Sequence, residues 1–299
     1  MRGARSTRAE INGWVVLDKP VGMTSTNAVA RLKRIFNAKK AGHAGTLDPL
    51  ASGILPIAFG EATKTVPFVQ DGEKAYCFTI AWGAESDSDD SDGTITQRSD
   101  QRPELEEICA ALPQFTGTIM QRPPSFSAIK IGGERAYDLA RDGEPLDLPP
   151  RPVTIHSLAL VAADRDHATF EARCGKGTYV RAVARDLGRA LGCYGHVSAL
   201  RRTRVGPFSE AESVPLEQLM EALPPDALRR VEAGLMELPQ IIVDRTTAAR
   251  LRRGQSILLR GQDTPMDGAA FASCGGVVVA VGAIEHGELV PGRVFNLPF

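Results

Sequence analysis

Two neighbouring stretches of the chain alternate apolar and polar residues with very little between them. Residues 153–162 and 168–174 both show this period of two, and a short turn at 164–167 separates them. A period of two predicts β-strands with one buried face, and so short a connection predicts an antiparallel pair. Residues 74–82 repeat the pattern, because Tyr76 and the next two alternate positions are large and apolar. The chain must therefore build a sheet from strands that are adjacent in sequence.

Helices are predicted between the strands, and this sets the fold class. Residues 25–36 repeat their apolar side chains at the helical period, with Ser25 as the predicted N-cap. Strands interspersed with helices predict an α+β fold with a mixed, largely antiparallel β-sheet flanked by helices. The other predicted strands are 13–17, 53–59 and 195–205, and the other predicted helices are about 104–112, 179–191 and 224–236.

The length of 299 residues suits one large domain and one small one. Near residues 237–244 the character of the chain changes, since the part beyond has a short basic helix at 246–253, glycine-punctuated strands and no lysine. We therefore predict a first domain at 1–240 and a small β-rich module at 241–299. The strands predicted in that module include 276–284 and 288–290.

One segment of the first domain stands out. Residues 122–150 begin and end with paired prolines and contain a Gly-Gly turn. Such a segment is predicted to be a mobile surface excursion, with one short helix at about 134–141.

Composition and cysteine use exclude several classes. Hydrophobic residues make up 43% and charged residues 24%, close to the average for globular proteins. No apolar run approaches the roughly 20 residues of a membrane helix, and no apolar region follows the polar residues 1–10, so we expect a cytoplasmic protein with no membrane contact. The five cysteines are scattered and never spaced as C-x-x-C, which argues against a disulfide framework and a zinc site.

The net charge of -1 conceals strong segregation along the chain. Residues 19–47 hold six basic residues and no acid, and residues 173–204 hold eight basic residues against Asp186 alone. Acids concentrate instead in the Ser/Asp-rich stretch 85–92, predicted to be a loop. If the two basic segments share a face, they would form the local positive field of a nucleic-acid binder. The alternative is that each segment is a solvated helix face.

Residues 42–53 form the densest functional motif, with glycines, small residues, one histidine and one carboxylate. The small residues permit close approach of a ligand to the backbone. Asp48 is the single carboxylate, which disfavours a two-carboxylate glycosidase or a metal site. A lone aspartate can act as a nucleophile when a cation keeps it ionised in a dry pocket. The alternative is ordinary turn chemistry, because Asp before Pro is common in turns.

A second motif lies at residues 174–181. Its Gly-x-Gly turn enters a predicted helix, but the Walker spacing of a triphosphate-binding loop is absent. Arg181 can pair with a carboxylate and Tyr179 can stack on a base. The alternative is a capped helix with a surface arginine.

Together these motifs carry a resemblance to a known family. The segments 19–25, 42–53, 60–64, Tyr76, 174–181 and 200–208 resemble the bacterial tRNA pseudouridine-55 synthases of the TruB type, in that family's order and spacing. The resemblance implies isomerisation of uridine to pseudouridine at position 55 in the T-loop of tRNA, without cofactor or metal. It further implies that 1–240 is the catalytic domain, about 122–150 a flexible thumb, and 241–299 a PUA-like RNA-binding module.

The resemblance also implies roles for single residues. Asp48 is the nucleophile that attacks the flipped nucleotide, at the sugar or at the base, and Arg181 is its ion-pair partner. Tyr76 packs on the uracil and helps to remove a proton. The substrate-binding residues implied are His43, which fills the space left by the flipped base, Tyr179 and Leu200, which complete the pocket wall, and Lys19 and Lys64, which support the loop or touch phosphate.

Two departures from the family pattern leave these roles in place, since Ala44 and Ser52 each replace a threonine. The expected partner is the tRNA T-arm, bound by a monomer that needs no protein partner. Two rival functions are a non-catalytic RNA-binding or RNA-remodelling protein, and a pseudouridine synthase for another RNA.

Overall fold

The computed structural model describes residues 8–127, 129–131, 134–135, 148–259 and 267–298. Its strands are β1 Gly13–Lys19, β2 Ala41–His43, β3 Ser52–Phe59, β4 Lys74–Trp82, β5 Ala84–Ser86, β6 Ile95–Arg98, β7 Gly117–Gln121, β8 Lys130–Ile131, β9 Glu134–Arg135, β10 Arg151–Ala163, β11 His167–Cys174, β12 Gly195–Val205, β13 Phe208–Ser209, β14 Val214–Pro215, β15 Gln240–Ile242, β16 Ile257–Leu258, β17 Gly268–Cys274, β18 Val277–Glu285 and β19 Glu288–Val294. Its α-helices are α1 Ser25–Ile35, α2 Val66–Asp71, α3 Leu105–Ala111, α4 Val180–Ala190, α5 Leu216–Glu221 and α6 Arg245–Arg252, and short 3₁₀ turns occupy Gly60–Lys64, Leu112–Phe115, Glu210–Glu212 and Val231–Leu235.

One ten-stranded sheet organises the larger part of the molecule. Its strand order is β14-β1-β3-β12-β4-β11-β10-β7, with β2 paired to β3 and β13 paired to β12. The β1–β14 and β3–β12 pairs are parallel and the other pairs are antiparallel. The predicted α+β fold with a mixed, largely antiparallel sheet is therefore confirmed.

The second sheet is the β-rich module expected from the sequence. Its order is β15-β17-β18-β19-β16, and α6 packs on it through Ala248 and Leu251. Phe271 of β17 and Phe295, which follows β19, share a buried cluster with Trp14 of β1. Burying such large aromatic side chains stabilises the junction, since each removes more than 100 Å² of surface from water.

Three local predictions were wrong or fall outside the described residues. The helix predicted at 224–236 is reduced to the 3₁₀ turn Val231–Leu235, because the backbone of Arg229 exchanges two hydrogen bonds with Trp14 and pairs with β1. The N-cap of α1 is Thr24 rather than Ser25. Of the residues predicted to form a helix at 134–141, the first two form the strand β9, and the others lie outside the described residues.

The sheet register brings the 42–53 motif close to Tyr76. Arg202 on β12 lies opposite Gly53 of β3 on one side and Tyr76 of β4 on the other. Gly53 has a φ of 98°, and a Cβ there would lie 2.3 Å from the carbonyl oxygen of Arg202, so only glycine fits. Only β12 therefore separates β3, which follows the Asp48 loop, from β4, which carries Tyr76.

Candidate active site

Asp48 and Arg181 form an ion pair at the mouth of the site. Asp48 lies in the loop between β2 and β3, and Arg181 lies in the first turn of α4. The distance from Arg181 Nε to Asp48 Oδ2 is 2.9 Å, and the side chains are 5% and 33% exposed. The N–H of Nε is not aligned with the carboxylate as a hydrogen bond. The Asp48 carboxylate therefore faces the guanidinium charge of Arg181 and remains partly exposed.

Arg181 has further partners that fix its position. Its Nη1 lies 3.4 Å from Asp90 Oδ2 and donates to the Ser88 carbonyl at 2.8 Å. Its Nη2 donates to the Phe126 carbonyl at 2.8 Å. A guanidinium held from several sides loses little freedom when substrate binds, which is the preorganisation that electrostatic catalysis needs. The contact to Phe126 also links Arg181 to the start of the predicted thumb.

Arg202 holds the Asp48 loop in place through hydrogen bonds to its backbone. It is 2% exposed and donates to the carbonyls of Ile54, Thr46 and Gly45 at 2.8, 3.1 and 3.1 Å. Burial lowers the pKa of Arg202, and the nearby Tyr76 opposes this shift. Three charge-assisted hydrogen bonds to backbone on both sides of Asp48 hold the loop in one conformation.

Ser25 fastens the same loop from the side of α1. Its hydroxyl donates to the Leu47 carbonyl at 2.9 Å and accepts from the Leu47 amide at 2.8 Å. The Gly22 amide donates to the Pro49 carbonyl at 2.7 Å. Both residues adjacent to Asp48 are therefore bonded to the segment that enters α1.

Ser25→Ala is expected to lower kcat about tenfold and the free energy of unfolding by about 2 kcal/mol, because it leaves a buried amide and carbonyl unpaired and loosens the loop. Thr24→Ala is the matched control, since Thr24 caps α1 by accepting from the Asn27 amide at 3.1 Å and makes no bond to the loop. It should cost about 1 kcal/mol and leave kcat unchanged. Denaturant unfolding and single-turnover kinetics measure both quantities. Equal kcat for the two variants would contradict the role of Ser25.

Tyr76 lies on β4 against the Arg202 guanidinium, with its side chain half-buried. Burial raises the pKa of Tyr76 to about 12, and Arg202 opposes the shift. The phenol is therefore protonated at neutral pH in the free protein. It can donate a hydrogen bond to a bound base at once, but it can accept a proton only after losing its own.

The two lysines have structural partners. Lys19 is fully buried and its Nζ donates to the carbonyls of Pro20 and Met23, each at 2.8 Å, so it supports the loop that precedes α1. Burial lowers the pKa of Lys19 to about 8, opposed by Asp48. Lys64 donates to the Val294 carbonyl at 2.8 Å and pairs with Glu61, so it joins the second sheet to the first.

The three remaining predicted substrate-binding residues lie just before α4, on β12 and on β2. Tyr179 precedes α4, where its amide and carbonyl bond to the Gln121 side chain at 2.8 and 3.1 Å. Leu200 is 7% exposed and packs in the main core opposite Phe78 of β4. His43 ends β2, half-buried and opposite Ile57 of β3.

Sequence reasoning missed the acidic partners of α4. The stretch 85–92 contains Glu85, Asp89 and Asp90, which are 6%, 5% and 4% exposed. They pair respectively with Arg189, Arg185 and Arg181, which follow each other at intervals of four along one face of the helix. Burial raises the pKa of Asp89 to about 6, opposed by Arg185. The sequence did contain a signal for these ion pairs: an arginine at every fourth position of the predicted helix, together with the acidic stretch 85–92.

The same pairing corrects the charge prediction for residues 173–204. Of the eight basic residues, all but Arg202 pair with a carboxylate: Arg173 with Glu73, Lys176 with Asp71, Arg181 with Asp48 and Asp90, Arg185 with Asp89 and Asp186, Arg189 with Glu85, Arg201 with Asp18 and Glu210, and Arg204 with Glu237. Acids distant in sequence neutralise this segment, so it does not form an unbalanced positive face.

Within the described ranges, the helices are too short or too polar to cross a membrane. Over the same ranges, His, Cys, Asp and Glu side chains do not gather in groups of three that could hold a metal ion.

Comparisons with known proteins agree with this architecture. A family model described as "TruB family pseudouridylate synthase (N terminal domain)" matches residues 33–180, and one described as "tRNA pseudouridylate synthase B C-terminal domain" matches residues 181–231. A protein of Bradyrhizobium diazoefficiens named tRNA pseudouridine synthase B is 60% identical over 98% of this chain and 88% of its own length. One of Agrobacterium fabrum with the same name is 55% identical over 96% of this chain and 95% of its own.

A solved structure shows the same fold. A chain in the "Crystal Structure of a Cbf5-Nop10-Gar1 Complex" superposes with a TM-score of 0.74 at 26% identity, covering 95% of this chain and 84% of that one. Fold and relatives together define a class, the enzymes that form pseudouridine. Within that class, the chain belongs to the TruB family of pseudouridylate synthases. The family and the enzyme class predicted from the sequence are confirmed.

Proposed function

We propose that this chain isomerises uridine to pseudouridine at position 55 in the T-loop of tRNA, with Asp48 as the nucleophile. The observation that carries the proposal is the 2.9 Å pair between Asp48 and the buried Arg181, with Tyr76 close enough to Asp48 to interact with its charge. The names of the 55–60% identical relatives support tRNA as the substrate. A single carboxylate held by an arginine suits attack on an electron-poor carbon of a nucleotide.

The reaction is an isomerisation and requires no oxidant. The bond from the sugar to uracil N1 breaks, a bond from the sugar to C5 forms, the proton on C5 leaves and N1 gains one. In this proposal Asp48 attacks the target nucleotide, and Arg181 orients the carboxylate and balances its charge after water is expelled. Tyr76 packs on the uracil.

The target nucleotide must leave the stack of the T-loop to reach Asp48. Flipping costs a few kcal/mol in lost stacking, which contacts to the flipped base and to the phosphates must offset. In this proposal His43 fills the space that the flipped base leaves, and Tyr179 and Leu200 complete the wall of the pocket. Residues 1–240 act as the catalytic domain and residues 241–299 as an RNA-binding module, which Lys64 attaches.

A non-catalytic RNA-binding protein would bind tRNA without changing it, and a synthase for another RNA would ignore the T-arm. Transcripts tritiated at uracil C5 distinguish these functions, because pseudouridine formation releases the tritium. We expect release from full tRNA and from a T-arm minihelix, and none from a minihelix with cytidine at position 55. Release from ribosomal RNA fragments with an inert T-arm would overturn the tRNA assignment, and binding without release would favour the non-catalytic function.

A further inference from the structure

The exposed face of α1 carries positive charge that no carboxylate among the described residues neutralises. Arg31 and Arg34 are exposed and Lys33 is half-buried, and none of the three makes an ion pair within the described part of the chain. Lys39, just beyond the helix, does pair with Glu10 at 2.8 Å. The contrast with residues 173–204 is sharp, because there almost every cation faces an acid. Unpaired cations on one face attract an anionic partner.

Two open depressions follow this face of the helix. One is lined by Arg8, Ala30, Lys33, Arg34 and Asn37. The other is lined by Gly22, Met23, Asn27, Ala30, Arg31 and Arg34. They share Ala30 and Arg34, so together they form a continuous concave strip without an acidic residue in its lining. The small side chain of Ala30 leaves room between the cations for an anion to approach.

The strip starts beside the catalytic loop. Gly22, in the lining of the second depression, donates its amide to Pro49, the residue after Asp48. From there α1 extends over 11 residues, which is about 16 Å of helix. That length spans roughly four to five phosphates of one strand in a duplex. An RNA whose nucleotide reaches Asp48 must therefore continue close to one end of the strip.

We infer that this α1 strip binds phosphates of the substrate RNA next to the flipped nucleotide. The inference rests on the proposed function for the identity of the RNA. Arg31 and Arg34 supply planar guanidinium groups that bond phosphate through two donors at once, and Lys33 adds a point charge. Continuity with the Asp48 loop favours the substrate itself over an acidic protein, which would have no reason to lie at the entrance of the catalytic pocket.

The test removes two charges from the strip and two from elsewhere. Arg31→Gln/Arg34→Gln is compared with Arg98→Gln/Arg165→Gln. Arg98 and Arg165 are also exposed and outside every ion pair of the described residues. Arg165 lies in the turn before β11. Ala172 of β11 pairs with Tyr76, and the start of β11 at His167 is about 17 Å along the strand from that pair. Both variants lower the net charge by the same amount. A difference in RNA binding between them therefore reports where the charges lie rather than how many there are.

Equilibrium binding of an unmodified tRNA transcript is measured between about 50 and 200 mM salt, with tritium release measured in parallel. The strip variant should bind about tenfold more weakly, and its plot of log affinity against log salt should be shallower by about 1.5. The Arg98/Arg165 variant should match the wild type. Equal binding by the two variants would overturn the inference. Failure of the proposed function would show separately, as absent tritium release from the wild type.

Discussion

Replacing Arg181 with methionine is expected to slow uridine isomerisation by about a thousandfold or more. Arg181 contacts Asp48 at 2.9 Å, and it is itself only 5% exposed. Without it, the Asp48 carboxylate loses the cation that orients it and balances its charge when RNA covers the site. Single-turnover tritium release at saturating RNA measures the loss.

The same substitution also affects folding, because Asp90 is buried and would lose its cation. A buried charge that loses its partner costs about 3 to 5 kcal/mol. The double variant Arg181→Met/Asp90→Asn removes this penalty and should recover stability without recovering turnover. Arg189→Met is the matched control on the same helix, since Arg189 is 51% exposed and pairs with Glu85 rather than Asp48. Turnover by Arg181→Met close to that of the wild type would contradict the assigned role.

Asp48→Asn is expected to abolish isomerisation, with a loss of at least about four orders of magnitude. The amide matches the carboxylate in size but lacks its charge and its nucleophilic oxygen. The loop should keep its shape, because Arg202 and Ser25 hold it through backbone atoms of its other residues. Arg181 keeps Asp90 as a partner, so the free energy of unfolding should change by no more than about 1 kcal/mol.

Binding of tRNA by Asp48→Asn should stay within about threefold of the wild type, because one neutralised side chain leaves the phosphate contacts intact. Asp92→Asn is the isosteric control, as Asp92 is exposed in the nearby acidic loop. It should retain full turnover. Comparable losses in the two variants would indicate a general effect of removing negative charge rather than loss of a nucleophile.

The sheet was predictable in large part because alternation fixes strands locally. β4 and β12 occupy the predicted residues 74–82 and 195–205, since both strands bury alternate side chains between neighbours. The helix predicted at 224–236 failed because a tertiary contact intervened. Arg229 pairs with Trp14, more than 200 positions away in the chain, and no local pattern reports that contact.

Some residues of the site could likewise be predicted from the local sequence, and others could not. Asp48 stood out as the one carboxylate in a glycine-rich loop, and Arg181 as an arginine after a Gly-x-Gly turn, so local composition and the family resemblance were sufficient to select them. The role of Arg202 as a clamp on the Asp48 loop could not be read from a basic run. It depends on the parallel register between β12 and β3, which is non-local.

The pairing of charges is the feature that could least be predicted from the sequence. Residues 19–47 and 173–204 look alike as basic segments, yet only the first keeps exposed cations outside ion pairs within the described residues. The second meets its acids through sheet and helix packing. Net charge along a chain therefore predicts a binding face only after the partners of each side chain are known.

Conversion of one uridine of tRNA by the Asp48 pocket is tested by base-resolved mapping of pseudouridine. A whole unmodified tRNA is mapped after incubation with the wild type or with Asp48→Asn. We expect conversion at position 55 by the wild type, no conversion at other uridines, and none anywhere by Asp48→Asn. Conversion at position 55 by both proteins to the same extent, or conversion by the wild type only at other positions, would contradict it.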